Sequence, residues 1–281
     1  MHLMNKRSLI LLLLGSIICG CDSMVDPGEI EYQPRIVVNG VITVGERVDS
    51  IRFSRTLPLS RKYSEQEVGL DNVTARIETA TGIYPLKPIG NGYYQATDLT
   101  PVAGREYHLL AQWEGEQVTA TTVAPEIPTI LRMTAELGTT INGARDPSIY
   151  MVTAYVRTHA HEVYMLGCDS YDYWSGHQVF ARNYPNWVPE RGDIDSNDVV
   201  SVSFLYQRPD GDNVSYPAVG RVYAYDRAYY DYWESSHSGD SRLELKDRYL
   251  PAFSETVAWN IHGDGIGMFI AKAVNTAIVV I

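Results

Sequence analysis

Cysteine is scarce in this chain of 281 residues, which has 3, at positions 19, 21 and 168. A disulfide framework is thereby excluded once the two N-terminal cysteines are accounted for. Basic residues are also few, 23 Lys+Arg against 34 Asp+Glu, a formal net charge of −11. Nucleic acid is disfavoured as a partner, because neutralising phosphates needs a basic footprint. Phenylalanine is rare, 5 against 20 tyrosines, which favours sheets with half-wet aromatic positions where the ring packs and the hydroxyl reaches water. Catalytic signatures are missing too. There is no Gly-x-Ser-x-Gly elbow, no Walker sequence and no His-Glu-x-x-His, so enzyme activity has no positive support and no cofactor is expected. The 22 glycines and 14 prolines are spread out, and with 45% hydrophobic residues wholesale disorder is out.

One long apolar run is present, and it lies at the N-terminus. Lys6 and Arg7 precede residues 9–19, a stretch too short for a bilayer-crossing helix and suited to a signal-peptide core. Ile17-Ile18-Cys19-Gly20-Cys21 places a small residue just before a cysteine, and this resembles the lipobox of bacterial lipoproteins. The resemblance implies cleavage before Cys21 and acylation of that residue, whose several acyl chains would hold the protein on a lipid bilayer. Ile17, where Leu is commoner, and Cys19 depart from the pattern; an ordinary secretory signal is the alternative. The mature chain would then carry 21 basic and 34 acidic residues, a net charge of −13. Asp22, Asp26, Glu29 and Glu31 make residues 21–33 a polar, acidic tether. Such acidic residues after a lipidated cysteine resemble an export signal to the outer face of the outer membrane in one Gram-negative lineage.

From Pro34 onward the apolar pattern has period two, the signature of strands. Val73, Ala75 and Ile77 share a face, as do Tyr107, Leu109, Ala111 and Trp113, and then Val118, Ala120 and Thr122. The expected fold class is all-β, with an immunoglobulin-like β-sandwich over residues 34–124. Two prolines within residues 125–128 mark a stiff connector. A second β-sandwich or barrel-like unit is expected over 129–281, with strands at 130–137, 150–158, 162–168, 199–207, 220–225, 256–261 and 266–274. Residues 226–236 are the one helical candidate, with Asp226 as cap.

The C-terminal half carries Tyr229-Tyr230-Asp231-Tyr232-Trp233 and then Trp259-Asn260-Ile261-His262-Gly263-Asp264-Gly265-Ile266-Gly267-Met268-Phe269. With the lipidated cysteine, the acidic spacer and the Pro34-Arg35-Ile36-Val37-Val38-Asn39-Gly40 opening strand, this order resembles the lipoprotein family known as domain of unknown function 4249. The resemblance implies an outer-membrane lipoprotein without attached catalytic activity, encoded beside TonB-dependent transporters. The resulting expectation is a non-catalytic accessory or ligand-capturing partner of a TonB-dependent transporter, facing the periplasm or the cell surface. A structural or adhesive envelope lipoprotein is the alternative, and a metal-dependent hydrolase using His159, His161 and Asp169 the third reading.

Other constellations are weaker. His159 and His161 fall on one strand face but lack a third ligand nearby, and transition metals want three or four. Asp193-Ile194-Asp195-Ser196-Asn197-Asp198 opens like a calcium loop yet lacks the glycine at its sixth position and the glutamate at its twelfth, so an EF-hand is excluded and no metal ligand is assigned. The glycines at 263, 265 and 267 suit a tight turn and bulge. An aromatic band within 169–197 contains the ligand-contact candidates Tyr173, Trp174 and Trp187; these rings either meet a ligand or cover the base of the second sandwich.

Overall fold

A computed structural model describes residues 32–58, 60–139, 145–159, 162–171, 178–180, 198–207, 217–237 and 257–280. The first half supplies β1 (Ile36–Thr43), β2 (Val48–Arg55), a helical turn α1 (Glu65–Val68), β3 (Thr74–Thr79), β4 (Gly82–Pro85), β5 (Lys87–Gly90), β6 (Tyr93–Ala96), β7 (Glu106–Trp113) and β8 (Glu116–Val123). After the connector come β9 (Thr129–Thr139), β10 (Arg145–Arg157), β11 (Glu162–Tyr171), β12 (Gln178–Phe180), β13 (Val199–Gln207), β14 (Pro217–Asp226), α2 (Arg227–His237), β15 (Ile261–Gly263) and β16 (Gly265–Val280). The all-β class expected from the alternation is what the chain adopts, and no barrel closes among the described residues.

Alternation decides which side chains go inward. On β7, Tyr107, Leu109, Ala111 and Trp113 are all buried, and on β8 so are Val118, Ala120 and Thr122. These belong to a five-stranded sheet ordered β15-β8-β7-β3-β4. They face Ile36, Val38, Ile51, Phe53 and Tyr94 from the sheet ordered β12-β11-β14-β16-β1-β2-β6-β5, and the two sets form one hydrophobic core. A second core forms after the connector, where Val152, Ala154, Val156 and Val202 of the β13-β10-β9 sheet meet Tyr164, Val222, Ala224 and Val279. Each core is a sandwich, and the eight-stranded sheet is a layer of both.

The join is β16. Its first half runs parallel to β1, from Gly265 opposite Ile36 to Lys272 opposite Thr43, and its second half runs antiparallel to β14, from Lys272 opposite Tyr225 to Val280 opposite Pro217. Residues 267–271 are buried without interruption, which is the pattern of a strand covered on both faces. Phe269 and Ala271 enter the first core and Val279 the second, while Met268 and Ile270 pack with Val163, Tyr225 and Tyr230 beneath α2. Of the glycines expected at a turn, Gly263 and Gly265 flank the break between β15 and β16, whereas Gly267 lies inside β16 in unbroken register with β1. Gly263 and Gly267 have φ of 99° and 118°, and a Cβ on Gly267 would collide with the carbonyl oxygen of Val38 on β1.

Tyrosines close loops in both halves by one device. The Val102 N–H donates to the Tyr107 hydroxyl at 2.7 Å, and the His159 N–H donates to the Tyr164 hydroxyl at 2.9 Å, each five residues upstream at a strand entry. This is the tyrosine corner of Greek-key sandwiches, repeated once per core. Tyr94 serves similarly, accepting from the Val73 N–H at 2.8 Å and donating to the Leu70 carbonyl at 2.9 Å. An orphaned buried N–H costs about 1–3 kcal/mol, so the hydroxyl is what distinguishes Tyr from Phe at these sites.

The helix expected at 226–236 is α2, and Asp226 caps it by accepting from the Ala228 N–H at 3.3 Å. The other Asp226 oxygen accepts from the Thr122 hydroxyl at 2.8 Å, and Thr122 in turn accepts from the Ala271 N–H at 2.9 Å. A buried threonine thus ties β8, β16 and the start of α2 together. One expectation fails. Residues 257–260 are not a strand, because Asn260 clamps Phe269 through both its backbone N–H, at 2.9 Å, and its carbonyl, at 2.6 Å. Side-chain bonds there replace the ladder that a strand would need.

Candidate functional site

The inward placement of Ile51 and Phe53 on β2 turns Arg52 and Ser54 outward. Strand register sets Val37 opposite Ser54 and Asn39 opposite Arg52, so these four side chains form one exterior floor. The chain then leaves β2 through Arg55, Thr56, Leu57 and Pro58 and returns past Arg61 and Tyr63 into α1. Together these residues line a cleft of about 490 Å³, inside the range of roughly 300–1,000 Å³ typical of small-molecule sites.

Arg52, Arg55 and Arg61 all line this cleft, and their ion pairing is not equivalent. Arg52 pairs with Glu65 at 3.2 Å, donates to the Tyr63 hydroxyl at 3.3 Å and to the Glu65 carbonyl at 3.0 Å, and lies 5.3 Å from the centre of the Tyr93 ring. Glu65 is fixed in turn by the Tyr93 hydroxyl, which donates to it at 3.2 Å. Arg61 pairs with Glu67 at 2.6 Å. Arg55 has no carboxylate within ion-pair distance among the described residues; it donates only a long bond, 3.4 Å, to the carbonyl of Glu67. The Nε atoms of Arg52 and Arg55 are both covered and without an acceptor. Sequence reading passed over this site. The available signal was Arg52 at an outward strand position, with Arg55 and Arg61 on the loop that follows.

A second polar cluster sits at the foot of β11. Glu162 accepts from the Tyr164 hydroxyl at 2.7 Å and from the Glu126 N–H of the connector at 2.7 Å. Burial pushes its pKa above the usual carboxylate value of 4.5, and the carboxylate of Glu126 adds to the rise, while the two hydrogen bonds and nearby His159 oppose it. The neutral form is therefore favoured in the folded state relative to the unfolded one. Stability from this group is complete below pH 4.5 and is lost as pH rises through the raised folded value. Glu162→Gln is expected to gain on the wild type as pH rises. Urea unfolding of both proteins between about pH 4 and pH 8 measures this, and a difference that stays flat or runs the other way would refute it.

Tyr229, Tyr230 and Tyr232 of the aromatic motif prove to be packing residues. Tyr225 and Tyr229 rings are 4.6 Å apart and Tyr232 and Trp259 rings 5.2 Å apart, so the aromatic face of α2 is laid over the outer side of the eight-stranded sheet. Burial raises the pKa of Tyr225 and Tyr229, which stay protonated.

Of the residues singled out from the sequence, Cys21, Tyr173, Trp174, Trp187 and His161 lie outside the described residues. His159 lies two residues past the end of β10, its N–H spent on Tyr164, and Asp169 is within β11, opposite Phe180. Of the acidic run at 193–198 only Asp198 is described, and its carbonyl accepts from the Thr158 N–H at 2.8 Å. Among the described residues no group of three His, Cys, Asp or Glu is arranged to hold a metal.

Fold and cleft define a two-core β-sandwich protein with an arginine-lined exterior site. Within that class, the chain belongs to the family described as "Domain of unknown function (DUF4249)", which matches residues 23–277. No curated protein matches the sequence. Solved structures similar to the chain include two titled "Cytokine receptor complex". One is 11% identical at a TM-score of 0.24, covering 88% of this chain and 94% of its own. The other is 13% identical at a TM-score of 0.22, covering 69% and 92%.

Proposed function

We propose that the protein is a lipid-anchored outer-membrane lipoprotein that works without chemistry, as an accessory or ligand-capturing partner of a TonB-dependent uptake system. The observation that carries this reading is Ile17-Ile18-Cys19-Gly20-Cys21, which stands directly ahead of the family-matched segment 23–277. Cys21 is the acylated residue in this reading, and its several acyl chains make the attachment stable. A rigid sandwich with a cleft on its exterior suits capture, because the strands fix the floor while the loop after β2 supplies the wall. Metabolic labelling with a palmitate analogue is expected to mark the wild type and leave Cys21→Ser unlabelled; equal labelling ends the anchoring reading. Affinity purification is expected to recover a TonB-dependent transporter. Recovery of other envelope proteins alone would instead favour a structural or adhesive role.

A further inference from the structure

We propose that the cleft between β1, β2 and the loop following β2 is a binding site for a small organic monocarboxylate, with Arg55 as its counter-ion. The charge balance selects the ligand's charge. Arg52, Arg55 and Arg61 bring three positive charges, and Glu65 and Glu67 compensate two through the ion pairs with Arg52 and Arg61. Among the residues that line the cleft, one positive charge remains without a carboxylate, on Arg55. A half-buried guanidinium without a carboxylate is an unusual arrangement, since covered charges are ordinarily paired. A single carboxylate completes the balance. A phosphate, with a charge of about −1.5 to −2, overcompensates it beside Glu65 and Glu67.

The shape of the site selects the rest of the ligand. Arg55 donates one long bond to protein and has fork geometry left for two parallel bonds to a carboxylate. Leu57, Pro58 and the Tyr63 ring provide apolar wall beside it, and Val37, Ser54 and Asn39 provide the floor. The ligand is therefore an acid with an apolar or aromatic body, its carboxylate on Arg55 and its body against Leu57, Pro58 and Tyr63. Arg52 is held in place by Glu65, Tyr63 and Tyr93 and acts as a fixed portion of the floor.

Calorimetric titration of the full-length chain with benzoate tests the assignment, with benzamide and inorganic phosphate as comparison probes. Benzoate is expected to bind saturably, and benzamide and phosphate at least about tenfold more weakly, since the charge-assisted fork is missing or mismatched. Arg55→Gln is expected to remove benzoate binding and Arg55→Lys to weaken it about tenfold, because an ammonium keeps the charge and loses the fork. Leu57→Asp leaves Arg55 in place and puts a competing carboxylate at the rim, so it too is expected to abolish binding. The assignment is overturned if benzoate shows no saturable heat, if benzamide or phosphate binds equally well, or if folded Arg55→Gln or Leu57→Asp binds as the wild type does. Cys21→Ser is expected to bind benzoate unchanged, so this result is separable from the anchoring test.

Discussion

Ending the chain at Gly263, so that all of β16 is removed, is expected to abolish cooperative folding of both halves. The strand contributes Phe269 and Ala271 to the first core, Val279 to the second, and Met268 and Ile270 to the cluster under α2. Truncating Phe269 alone to alanine is expected to cost about 3–5 kcal/mol, the usual range for a fully buried phenylalanine. Native domains are stable by only about 5–15 kcal/mol, so losing all five side chains together with two ladders of hydrogen bonds exceeds what the fold can spare. The shared strand also predicts that the two cores unfold together in the intact protein. Urea unfolding followed by tryptophan fluorescence and by far-UV circular dichroism should give one coincident transition for the wild type and none for the shortened chain. A cooperative transition in the shortened chain would show that β16 is dispensable.

Gly267→Ala is expected to destabilise the protein by at least about 3 kcal/mol, while Gly45→Ala costs only about 1–2 kcal/mol. Both glycines have positive φ, 118° and 81°, so both substitutions carry backbone strain. They differ in surroundings. A Cβ on Gly45 meets nothing within 4 Å, whereas on Gly267 it collides with Val38 backbone atoms in the parallel pairing of β16 and β1. Relief would require the two strands to separate where Phe269 enters the core. Thermal unfolding of the two variants against the wild type checks the contrast; similar losses at the two positions would mean that φ strain alone sets the cost.

Local features were readable from the sequence because each depends on neighbours a few residues away. The inward faces of β3, β7, β8 and β10 follow from period-two alternation, and the Asp226 cap follows from a carboxylate standing before a helical apolar spacing. The pairing of β16 with β1 was not readable. Gly265 and Ile36 are far apart in the chain, and nothing local encodes that a strand will be covered on both faces by two different cores. Asn260 misled for a related reason: its run of apolar neighbours reads as strand, while its amide is engaged with Phe269 nine residues on. The arginine cleft escaped because its meaning lies in which guanidinium lacks a carboxylate. That depends on Glu65 and Glu67 reaching Arg52 and Arg61 in space. The tyrosine excess was visible as a number, but its assignment to paired corners required the hydroxyl partners.

The parallel pairing of β1 with β16 also sets how the protein bears load. Tension applied backward on the start of β1 and forward on the end of β16 slides the two strands along each other, so the bonds between Ile36 and Thr43 and their partners from Gly265 to Lys272 resist together. An antiparallel hairpin pulled from its open end would instead lose its bonds singly, in sequence. A protein held through residues leading into β1 and tugged through its C-terminal strand is therefore loaded in shear along this seam.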